Sequence, residues 1–184
     1  MLPNPLHPAI VHFPVVLAVL LPIFALGAVW AIRRGASSRR AWGIPLGVAV
    51  ALAVSTWAAV QTGESQGERV ERVVAEQPLE THEEMAEAFL TASGVLALIA
   101  AAGLIGGVAG RAARVTTALG SVALVVFAAR VGHSGGELVY KYGAANAYTT
   151  DRGTQLESAA SGPEGSLARA ADSRRGGDDD DDHR

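Results

Sequence analysis

The chain has 184 residues, 49% hydrophobic and 18% charged, with a formal net charge of −3. One domain is the default for this length, and the absence of Cys excludes disulfides, thiol catalysis, iron–sulfur ligation and haem attached through Cys-x-x-Cys-His. Charge is segregated into short patches and one tail instead of being spread along helix faces as in a soluble protein, and no basic stripe for nucleic acid is present.

Four segments reach the length of about 20 apolar residues that a spanning helix needs. The first, roughly Pro8–Ile32, has no Asp, Glu, Lys or Arg. Met1–Leu6 carries no Lys or Arg either, so the run reads as a retained helix rather than a signal peptide. Pro8 suits a first helical turn, whereas Pro14 and Pro22 remove hydrogen bonds to the carbonyls of Ile10 and Ala18, which predicts a kink beside His12. The second span is roughly Trp42–Thr62, with Ser55, Thr62 and Gln66 on one face and Gly63 and Gly67 permitting close approach. A third runs from about Met85 to Ala109, preceded by Thr81-His82-Glu83-Glu84. The last covers about Val115–Tyr140 and takes up Arg130, His133 and Glu137 near its end. Period-two alternation is absent, which argues against a transmembrane barrel. The two hairpins these spans would form do not match well in sequence.

The connections set an expected orientation. Arg33-Arg34 to Arg39-Arg40 and Arg111 to Arg114 are short, basic and free of acid. The middle connection, Gly63–Glu84, holds seven Glu against two Arg. The positive-inside rule then places the basic loops in the cytoplasm. Both termini and the acidic loop face outward across the cell membrane. The stretch 144–184 is poor in large apolar residues and ends in five consecutive Asp before His183. It reads as a disordered polar and acidic tail after a domain covering 1–143. The expected fold is all-α, an integral membrane four-helix bundle with that tail.

On this topology His7, His12, His82 and His133 all fall on the outward side. His12 lies about one turn into the first helix. Arg130, His133 and Glu137 are spaced by three and four and so share one helix face. Ionisable groups within a span are costly and normally turn to the bundle interior. His12 and His133 are therefore the preferred facing pair, with His82 and His7 in reserve and Arg130 and Glu137 lining the same pocket. For each group there is a bland counterpart: an imidazole at headgroup level, or an Arg–Glu pair that only fixes packing. No His-Glu-x-x-His, Gly-x-Ser-x-Gly or phosphate loop is present.

The opening Asn4-Pro5-Leu6-His7-Pro8-Ala-Ile-Val-His12-Phe13-Pro14 and the closing Gly132-His133-Ser-Gly135-Gly136-Glu137-Leu-Val-Tyr140-Lys-Tyr142-Gly143 resemble the prokaryotic membrane family known as domain of unknown function 2231, over about residues 2–143. The resemblance implies four membrane helices. It also implies a setting in redox chemistry, because such chains are sometimes joined to cytochrome-like or Rieske-like domains.

Two functional readings follow. In the first, the bundle is an electron-transfer subunit that binds haem b or a metal ion through its outward histidines, since imidazole is a common axial ligand and helical bundles host haem. In the second it is a non-catalytic accessory or assembly subunit of a membrane redox complex. Its partners would be the lipid bilayer and a membrane or extracytoplasmic redox protein. A transporter is a weaker third reading, because the inner halves of the helices are almost free of polar residues. The sequence does not decide whether the protein is an enzyme.

Overall fold

The computed structural model describes residues 6–148. Its elements are α1 (His7–Ile10), α2 (His12–Arg33), α3 (Ser38–Val70), α4 (Glu76–Ala102) and α5 (Gly107–Tyr140), and no strand occurs among the described residues. Helices α1 and α2 form one segment, His7–Arg33, interrupted at Val11. The break lies where Pro14 offers no N–H to the carbonyl of Ile10, so the predicted irregularity beside His12 is present. That segment and α3, α4 and α5 are each long and apolar enough to cross a membrane. The chain is an all-α, four-span integral membrane bundle.

Helix α2 packs against α3 and α5, and α4 packs against the same two helices, so the four spans close a ring. Small residues fill the interior, among them Ala18, Ala25, Ala49, Ala59, Ala100 and Ala128. Phe13, Ile23, Trp57, Leu98 and Leu119 point outward, each more than half exposed. That inversion of a soluble protein is what lipid demands: tails solvate large side chains, and small ones let helix backbones approach. Thr56, Ser93, Thr117 and Ser121 are buried and bond carbonyls of their own helices. None of these four buried hydroxyls is left without a partner.

The two hairpins repeat one burial register. Pro14, Ala18, Leu21 and Ala25 on α2 have the spacing of Phe89, Ser93, Leu96 and Ala100 on α4. Trp42, Pro45, Ala49, Leu52 and Thr56 on α3 match Arg114, Thr117, Ser121, Leu124 and Ala128 on α5. The paired residues differ in chemistry, which is why the repeat is silent in sequence. Structurally the bundle is two equivalent hairpins.

Several boundaries depart from the sequence reading. The acidic connection is not a loop: α3 continues to Val70, α4 begins at Glu76, and only Glu71–Ala75 turns the chain. Glu, Gln, Ala and Arg are good helix formers, so both helices extend beyond their apolar stretches. The expected third span overran its end. α4 stops at Ala102, and the chain reverses through Gly103–Gly106 before Gly107, whose φ of 73° only glycine adopts readily. Arg111 and Arg114 consequently sit in the first turns of α5. The contacts gather residues 1–144 into one unit. From residue 149 on, the expected disordered tail lies outside the described residues.

Candidate functional site

At the end of the bundle nearest the chain's N-terminus, the helices enclose a cavity of about 320 Å³. Its polar lining is three imidazoles, His7, His12 and His82, with Thr56; the rest is Pro, Val, Ala, Gly and Phe89. Phe89 forms part of the floor and meets Phe127 edge to face, with centroids 5.5 Å apart.

Two of the imidazoles are held alike. His7 Nδ1 lies 2.9 Å from the carbonyl of Ala59 on α3, and 3.4 Å from Thr62 Oγ1. A carbonyl only accepts, so His7 Nδ1 must carry its proton. His82 Nδ1 lies 2.8 Å from Ser134 Oγ on α5, and that hydroxyl already donates to the carbonyl of Val131 at 2.9 Å. With the Ser134 proton given to Val131, its oxygen accepts from His82 Nδ1–H. In both neutral rings Nε2 is left as an unprotonated acceptor.

The rings also rest on matching glycines. A Cβ built at Gly63 would lie 3.2 Å from His7 Cε1, and one at Gly135 would lie 3.0 Å from His82 Cε1. Each histidine therefore packs on a helix that carries a hydroxyl followed by glycine, Thr62-Gly63 or Ser134-Gly135. These pairs occupy equivalent places in the repeat. Anchoring one ring nitrogen while freeing the other is how proteins orient an imidazole for a ligand.

The family comparison agrees with this architecture. Residues 3–148 match the family model described as a predicted membrane protein, DUF2231. The chain belongs to that family. No curated protein and no solved structure matches it.

In this DUF2231 chain, the sequence-derived candidates separate into two groups. His7, His82 and His12 share the cavity, with His12 exposed at its rim. Arg130, His133 and Glu137 do share a face of α5, as their spacing requires, but none of them lines the cavity. That wall of α5 is built by Ala128, Val131, Gly132, Gly135, Gly136 and Val139. At about 100° per residue, Arg130 and Glu137 lie opposite it. Arg130 and His133 are exposed, and Glu137 pairs with Lys141 at 3.4 Å. The expected Arg130–Glu137 pocket pair is thus replaced by a pair along the helix surface. His12 lines the cavity together with His7 and His82, and His133 does not.

Sequence reasoning kept His7 and His82 in reserve and missed Ser134 and the Ala59 carbonyl. The available signal was the recurrence of a hydroxyl–glycine pair on the second helix of each hairpin. Among the described residues, no three His, Cys, Asp or Glu side chains converge as metal ligands.

Proposed function

We propose that the protein is an electron-transfer subunit of the cell membrane that holds a redox-active group between His7 and His82. The observation that carries this reading is that two histidines, each anchored through Nδ1 to a neighbouring helix, line one apolar cavity. Among the described residues no buried side-chain nitrogen or oxygen lacks a partner, so the second ring nitrogens are accessible to an occupant of the cavity.

Haem b has the matching donor requirement. His7 and His82 would hold it, and it would supply one-electron chemistry. A bare metal ion suits the site less well, because it wants three or four protein ligands. The lining suits haem only in part, since it contains no Arg or Lys to pair with propionates. Visible spectra of protein purified from its native membrane in mild detergent test this directly. A Soret band with sharp reduced peaks supports haem, and a blank spectrum removes it.

The accessory-subunit reading has one observation of its own: both imidazole bonds run between helices, to α3 and to α5. If these bonds are only struts, replacing either His with Ala lowers stability by about 1 kcal/mol and no redox ligand copurifies.

The proposed orientation puts the cavity on the outward side, with both termini, because Arg33, Arg34, Arg39, Arg40, Arg111 and Arg114 gather at the opposite end. Reporter fusions at Ser37 and Gly106 are expected to read cytoplasmic, and one at Val74 external. A cytoplasmic Val74 reporter reverses the assignment.

A further inference from the structure

The walls of the cavity say more about its occupant than the imidazoles alone. Besides three histidines and Thr56, every lining residue is apolar or glycine, so the site offers a charged group nothing to pair with. The cavity is also not sealed. Pro8, His12 and Val15 on one side, and Gly132 and Val139 of α5 on the other, line it while remaining exposed on the bundle surface. These are positions within spanning segments, so the mouth between α1/α2 and α5 opens towards lipid. The occupant is thus a neutral, lipid-soluble molecule that enters sideways.

The free nitrogens fix its polar chemistry. Both Nε2 atoms are acceptors, because each Nδ1–H is spent on Ala59 or Ser134. A ligand that satisfies both must present two donors on an otherwise apolar body. Two equivalent hairpins present the two imidazoles, and a molecule with two equivalent hydroxyls matches that arrangement. The size is right for a single substituted ring: about 320 Å³ lies at the lower end of small-molecule pockets.

We propose that the cavity between His7 and His82 binds the ring of a lipid-soluble para-hydroquinone, its two hydroxyls donating to the two Nε2 atoms and its tail leaving through the mouth between α1/α2 and α5. The inference rests on the His7–His82 reading of the redox site and names its ligand class. It carries a chemical signature. The oxidised quinone has carbonyls in place of hydroxyls, and these would face two lone pairs without a proton between them. The site therefore selects the reduced form.

The test is equilibrium binding of decylubiquinol and decylubiquinone, under anaerobic conditions, to the full-length protein in nanodiscs free of native quinone. Saturable binding of the quinol is expected, about tenfold or more tighter than the quinone. His7→Phe and His82→Phe should each weaken quinol binding by about tenfold. Gly136→Leu is the second arm. Gly136 lines the cavity and a Cβ there meets nothing within 4 Å, so the added side chain occupies ligand space, and this variant should also lose binding. Equal affinity for both redox forms overturns the proposal. So does binding unchanged in all three variants, which would reflect partition into lipid alone. A Soret band in protein from its native membrane also overturns it while leaving the His7–His82 redox site standing. No ligand of either kind, with histidine variants altering only stability, overturns both.

Discussion

Changing His7 or His82 to Ala is expected to weaken binding of the redox ligand about tenfold or more, while His133→Ala and Arg130→Gln leave it intact. The contrast follows from placement. His7 and His82 both line the cavity, whereas His133 and Arg130 are exposed on another face of α5 and line no part of it. Each variant should still insert, since the interior packing of Ala18, Leu21, Leu52 and Leu96 is untouched. The glycines under the rings extend the series. Gly135→Ala places a methyl 3.0 Å from His82 Cε1, and Gly63→Ala one 3.2 Å from His7 Cε1. Either must shift an imidazole by a few tenths of an ångström, enough to weaken a directional bond while both nitrogens remain. Ligand retained on purification, read by its absorbance before and after extraction, measures all six variants. Retention in His7→Ala and His82→Ala, or loss in His133→Ala, would contradict the placement.

The sequence showed that Arg130, His133 and Glu137 share a face, but not where that face points. Periodicity gives angles between residues on one helix, and a reference direction comes only from contrast between polar and apolar sides. In helices apolar all round that contrast is missing. A partial marker of the interior was size: Ala and Ser recur at buried positions, with Leu21, Trp42, Leu52 and Phe89 as large exceptions. The histidines' common end of the bundle was legible because topology alone fixes it. Their partners were not, because the Ala59 carbonyl has no sequence signature and Ser134 acts only once α4 lies against α5. The acidic connection misled for another reason. Absence of apolar residues does not mark where a helix stops, and α3 and α4 both extend beyond their apolar stretches.

A large loss of stability from a single methyl group is expected at the opposite end of the bundle, in Gly103→Ala. Gly103 follows α4, where the chain turns towards α5, and its backbone is helical, with φ −61°, so alanine meets no conformational penalty there. The conflict is steric. A Cβ at Gly103 would run into the indole Nε1 of Trp42, with Trp42 Cε2 only 2.7 Å away and the carbonyl of Ala100 2.9 Å away. Trp42 is fully buried, and its Nε1–H donates to that same Ala100 carbonyl at 2.8 Å. The ring cannot move aside without breaking the bond that ties α3 to α4. The Gly103 carbonyl is committed too, accepting from Arg114 Nε at 2.7 Å. Overpacking of this kind costs about 1–3 kcal/mol, and the lost indole bond adds about 1 kcal/mol. Gly94→Ala is the control. It lies mid-helix with nothing within 4 Å of the added methyl, so helix propensity should leave it neutral or stabilised by up to about 1 kcal/mol. Thermal unfolding in detergent reads both. Coupling identifies the cause: Trp42→Leu, itself destabilising, should add far less than its separate cost once Gly103→Ala is present. Additive losses in the double variant would show that the methyl acts on something other than the indole.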